Sequence, residues 1–84
     1  MPMNFIYNRD NAGRYPLDDT SVVWVSNGWE LHREVTYKPD DIIRHWYIVN
    51  PQNDVAILNG YEYDEVTQSH FEELIHECHE TLSV

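Results

Sequence analysis

Asn27 and Gly28 sit between two apolar stretches, and this dipeptide constrains the fold more than any other feature of the chain. A type I′ turn needs positive φ at both central residues, which Asn and Gly tolerate, so the pair predicts a β-hairpin over 21–37. The register that follows sets Val25 opposite Glu30, Trp24 opposite Leu31, Val23 opposite His32 and Val22 opposite Arg33. One face then gathers Val22, Trp24, Trp29, Leu31, Val35 and Tyr37. The other shows Val23 and Val25 beside Glu30, His32, Glu34 and Thr36. A hairpin with one apolar and one mostly polar face packs a core on one side and meets water on the other.

A second hairpin is expected on either side of Pro51-Gln52-Asn53, over 44–50 and 54–59. Here both faces are apolar. Trp46, Ile48, Ala56 and Leu58 line one, and Tyr47, Val49, Val55 and Ile57 line the other. Such a hairpin is central, covered on its second face by another part of the chain, or else it offers a patch for a partner or a second copy. The segment 8–19, rich in Asn, Asp, Gly and Pro, reads as a long loop able to supply that cover. Phe5, Ile6 and Tyr7 read as a short first strand. Pro39 breaks the chain between the hairpins, because proline cannot donate to a ladder.

The last segment has helical period. Phe71, Leu74, Ile75, Cys78 and Leu82 form one apolar stripe over a helix from Thr67 to about Leu82. Thr67 is the expected N-cap, with Val66 and Phe71 placed as a hydrophobic staple; Asp64 is the rival cap. Two hairpins and one helix predict a single α+β domain over residues 1–84, with an antiparallel sheet of about four to five strands and the helix packed on one face.

Charge is distributed unevenly along the chain. The basic residues are Arg9, Arg14, Arg33, Lys38 and Arg44, and none follows. The second half carries Asp54, Glu62, Asp64, Glu65, Glu72, Glu73, Glu77 and Glu80, and the net charge is −10. Like charge left unrelieved opposes folding, so such a face implies a use outside the molecule. Affinity for phosphates comes from Lys and Arg, which argues against nucleic acid or an anionic membrane as a direct ligand. A basic protein surface is the expected partner. The stretch Met1 to Phe5 has neither the basic nor the apolar part of a signal peptide, and Cys78 is alone, so the cytoplasm is the expected location.

Three constellations bear on chemistry. Glu73, Glu77 and Glu80 share the outer side of the helix at i, i+4 and i+7, with Glu62, Asp64 and Glu65 extending the negative surface and Tyr61 and Tyr63 interleaved as interface aromatics. Carboxylates spaced about 6 Å apart along a rod imitate a run of phosphates; the bland reading is a solvated helix face. Glu72, His76 and His79 lie on one flank and form a weak metal-site candidate lacking a fourth ligand. The histidines as a group would raise the net charge on protonation. No phosphate-binding glycine loop or nucleophile elbow is present, and no cofactor is expected.

The expected function is therefore that of a small, acidic, non-catalytic inhibitor or interaction protein that binds a basic surface, most simply on a nucleic-acid-binding enzyme. In size and charge the chain is analogous to phage-encoded anti-restriction and anti-CRISPR blockers, which act in the host cytoplasm; the analogy is one of class, without a shared motif. The alternatives are a toxin-neutralising immunity protein, a small metal-binding protein using Glu72, His76 and His79, and a homodimer joined through the second hairpin.

Overall fold

The computed structural model describes residues 5–13 and 15–82, with only the backbone described for Ile6, Ala12 and residues 78–82. In chain order the elements are β1 (Phe5–Asn8), α1 (Arg9–Ala12), β2 (Ser21–Ser26), β3 (Trp29–Tyr37), β4 (Ile42–Val49), β5 (Asp54–Leu58) and α2 (Gln68–Leu82). The five strands form one sheet in the order β1-β5-β4-β3-β2, with every neighbouring pair antiparallel. This is the expected α+β architecture. Strands β2 to β5 run as a meander, and β1 closes the far side by pairing with β5.

The first hairpin turns where Asn27-Gly28 requires it, with φ of 51° and 86° at the two residues. Val25↔Glu30 and Trp24↔Leu31 pair as expected. Beyond Trp24 the register departs from expectation. A bulge at Val23 sets Val22 opposite His32 and Ser21 opposite Arg33. One extra residue reverses the faces of everything upstream. Val23 therefore packs against the core with Trp24, whereas Val22 moves to the opposite face beside His32 and is 52% exposed. Tyr37, expected on the core face, is 78% exposed because the far end of β3 and β4 lies outside the core.

The second hairpin pairs as the alternation requires, Trp46 with Leu58 and Ile48 with Ala56 on one face, Tyr47 with Ile57 and Val49 with Val55 on the other. Asn50 holds its turn: the side-chain oxygen accepts from the Gln52 and Asp54 N–H groups at 3.0 and 2.8 Å. The first face joins Trp29, Leu31, Val66, Phe71, Leu74 and Ile75 in the main core. The second face has its own smaller core, in which Leu17 covers Val49 and Val55, with Tyr7 and Tyr47 packed alongside. The 8–19 segment is thus the cover for this hairpin, and Val49 and Val55 are fully buried beneath it. That segment is not all loop. Asn8 accepts from the Asp10 N–H at 3.0 Å and caps the short helix α1.

Candidate interaction surface

Helix α2 starts at its expected cap, since the Thr67 hydroxyl accepts from the His70 N–H at 3.2 Å. Val66 and Phe71 are both buried in the main core, at the positions of a staple. Asp64 caps nothing; its N–H donates to the Tyr61 carbonyl at 3.1 Å within the preceding turn. Phe71, Leu74 and Ile75 turn inward, which leaves Glu72, Glu73, His76 and Glu77 exposed. These four, with Ser69, line a shallow recess on the outer side of the helix. Glu72 and His76 also border a second recess shared with Ser26, Asn27 and Trp29 at the β2–β3 turn. The side chains of Cys78, His79 and Glu80 lie outside the described residues.

Three of the arginines are engaged away from α2. Arg9 reaches Glu30 through both terminal nitrogens at 3.2 Å and Asn53 Oδ1 at 2.8 Å. Arg33 and Arg44 converge on one carboxylate, that of Glu65, at 3.3 and 2.7 Å. Arg33 also lies over the Trp46 ring, 5.8 Å from its centroid, and cation–π attraction there offsets part of the cost of its buried, unpartnered Nε. No Lys or Arg occurs on α2. The charge asymmetry of the sequence is therefore also one of space: Arg33 and Arg44 lie on β3 and β4, whereas α2 carries carboxylates and no Lys or Arg.

The remaining residues expected at the surface fall into two groups. Tyr61 packs against the main core and its ring lies 5.3 Å from that of His70, and Glu62 is half-buried with its carbonyl accepting from the Arg44 N–H at 2.8 Å. Glu65 has its charge offset by two arginines. Tyr63 and Asp64, by contrast, are exposed. Among the described residues no group of three or more His, Cys, Asp or Glu side chains is placed to hold a metal ion. Glu72 and His76 do share one recess, while His79 lies outside the described side chains.

Sequence reasoning missed a polar network on the opposite face of the sheet. His32 is buried; its Nε2 meets Glu30 Oε1 at 2.8 Å and its Nδ1 meets the Thr20 hydroxyl at 3.0 Å. The Thr20 hydroxyl also lies 2.9 Å from the Leu17 carbonyl, to which it donates. Hydrogen bonds from Arg9, then from His32, hold the Glu30 carboxyl below the usual glutamate range, against the opposing effect of burial. The network ties the 8–20 segment to β3. Such long-range pairs leave no local signal in a sequence, since Glu30 and His32 read there only as the polar face of an alternating strand. Beside it, Tyr7 and Tyr15 meet edge-on at 5.7 Å. The side-chain hydrogen bond to Tyr15 raises the Tyr7 phenol, and burial, then Glu34, raises that of Tyr47.

No family model, curated protein or solved structure matches the chain. No helix among the described residues is long and apolar enough to cross a membrane.

Proposed function

We propose that the protein is a non-catalytic, cytoplasmic interaction protein that uses the outer face of α2 to occupy a basic surface on another protein, of the kind that holds nucleic acid. One observation carries this reading: Glu72, Glu73 and Glu77 are exposed along a helix without a basic residue, while Arg9, Arg33 and Arg44 are paired to carboxylates elsewhere. Carboxylates on a rigid rod are pre-organised acceptors for Lys and Arg, and a one-signed face speeds encounter with a surface of the other sign. Glu73, Glu77 and Glu80 are the principal contacts. Asp64 and Tyr63 extend the surface before the helix, and Glu62, Glu65 and Tyr61 support that flank from within. Occupying the groove blocks it, which makes inhibition the function.

The test is capture of partners from bacterial lysate on the tagged protein, with elution by salt and competition by DNA or RNA. A nucleic-acid-binding protein that elutes at moderate salt and is displaced by nucleic acid is the expected result. The triple variant Glu73→Lys, Glu77→Lys, Glu80→Lys should lose that partner while keeping its circular dichroism spectrum. Undiminished capture by the triple variant would overturn the proposal.

A further inference from the structure

Among the described residues, strand β2 is an edge of the sheet and pairs in the ladder with β3 alone. Its sequence, Ser-Val-Val-Trp-Val-Ser, has no charge and no proline. Edge strands are ordinarily protected by lysine, proline or covering segments, because an open row of backbone donors and acceptors pairs with any extended chain. Among the described residues, the bulge at Val23 is such a device, and it sits toward the start of the strand. The other edge, β1, is only Phe5–Asn8 and runs directly into α1.

The hairpin turn decides which groups of β2 are open. With two loop residues, Ser26 and Trp29 form the hydrogen-bonded pair, so Val25 and Glu30 form the pair that exchanges no bonds across the ladder. The N–H and C=O of Val25 therefore point away from β3, and no backbone hydrogen bond outside the ladder reaches them among the described residues. The Val25 side chain is 60% exposed, on the same face of the sheet as Val22. The opposite side of this edge is bordered by α2. The Trp24 indole donates to the Val66 carbonyl at 2.9 Å, and Glu72 and His76 reach the β2–β3 turn. The open edge thus has apolar side chains on one face and the acidic helix flank on the other.

We infer that β2 accepts an extended cationic segment of the partner as a sixth strand. Side chains of an added strand alternate between faces. Lys or Arg at every second position meets the Glu72 flank of α2, and the intervening apolar residues lie against Val22 and Val25. A second copy of this chain is the poorer occupant, since it would bring a net charge of −10 against −10. The inference rests on the reading of α2 as an acidic docking face, and adds how the partner's backbone is held.

The probe is an acetylated, amidated octapeptide of alternating Lys and Val, titrated into the labelled protein with amide chemical shifts and hydrogen exchange as readouts. Shifts at Val25 and along α2, with slowed exchange of the Val25 amide, are expected. Val25→Pro removes the outward N–H without removing a ladder bond, a position where proline is tolerated on an edge. Once its unfolding curve shows an intact fold, that variant should bind at least about tenfold more weakly. The same peptide N-methylated throughout keeps its charge but has no backbone donors. It should bind the unaltered protein at least about tenfold more weakly, an arm that does not depend on how the variant folds.

Absence of peptide binding would overturn the inference, as would equal binding of the methylated peptide or concentration-dependent self-association through β2 without peptide. Salt-sensitive binding indifferent to N-methylation, but lost in the helix charge reversal, would sink strand addition and leave the acidic face standing. Binding that survives the charge reversal, yet is lost on N-methylation, would do the opposite.

Discussion

Replacing Glu30 by Gln tests whether the Arg9–Glu30–His32 network holds the 8–20 segment against the sheet. The carboxylate accepts two hydrogen bonds from Arg9 at 3.2 Å and meets His32 at 2.8 Å. Gln keeps the size but removes the charge, and its amide nitrogen adds a donor among donors. A hydrogen bond to a charged group contributes ~1.5–3 kcal/mol when sheltered. Arg9 keeps Asn53 as a partner, and the Glu30 and Arg9 side chains are 28% and 31% exposed, so the sum is discounted for solvent screening. The expected loss is about 2 kcal/mol, from a total of ~4–13 kcal/mol for a domain of this length. Urea unfolding followed by tryptophan fluorescence should show the midpoint falling by ~1–2 M at pH 7.

The pH dependence gives the test a sign. Glu30 titrates below the usual range in the folded protein. Its stabilisation is then fully present above the unfolded-state value and is lost as pH falls through the lower folded value. Protonated glutamic acid resembles glutamine, so the gap between the two proteins should close as acid is added below about pH 4. Equal midpoints at pH 7, or an undiminished gap at pH 3, would refute this account of the network.

Thr67→Ala should cost about 1 kcal/mol in urea unfolding by removing the cap on the His70 N–H, and Thr67→Asn should restore most of it. Trp46→Phe loses the indole donor to the Tyr61 and Asp64 carbonyls, at 3.0 and 3.2 Å, and should lower stability by ~1–3 kcal/mol with the sheet retained by circular dichroism. Glu65→Gln should change stability by less than about 1 kcal/mol at physiological salt, because that carboxylate is 57% exposed despite its two arginines. Salt titration of the same variant should leave that small difference smaller still.

Local signals carried most of the fold. Asn27-Gly28 placed the first turn, alternation paired Trp46 with Leu58 and Tyr47 with Ile57, and Thr67 with Val66 and Phe71 marked where α2 begins. The misplacement of Val22 and Val23 has a plain cause: a strand written Val-Val-Trp-Val alternates equally well in either phase, so nothing local betrays a bulge. The pairing of β1 with β5 joins residues 46 to 51 positions apart, which no periodicity encodes. Periodicity did expose the acidic stripe of α2. The Arg33–Glu65–Arg44 clamp and the packing of Tyr61 against the core depend on how the 61–65 connection is held by Arg44 and Trp46, which only the folded chain decides.

Two indoles suspend the acidic helix from the sheet. Trp24 holds the Val66 carbonyl just before α2, and Trp46 holds the connection at Tyr61 and Asp64. Both rings grow from strands, so the direction in which the Glu73 and Glu77 carboxylates face is inherited from sheet geometry rather than from a hinge. On the proposed function, a partner would meet a bracket already set at its angle, and association would not have to freeze the helix against the sheet before contact is made.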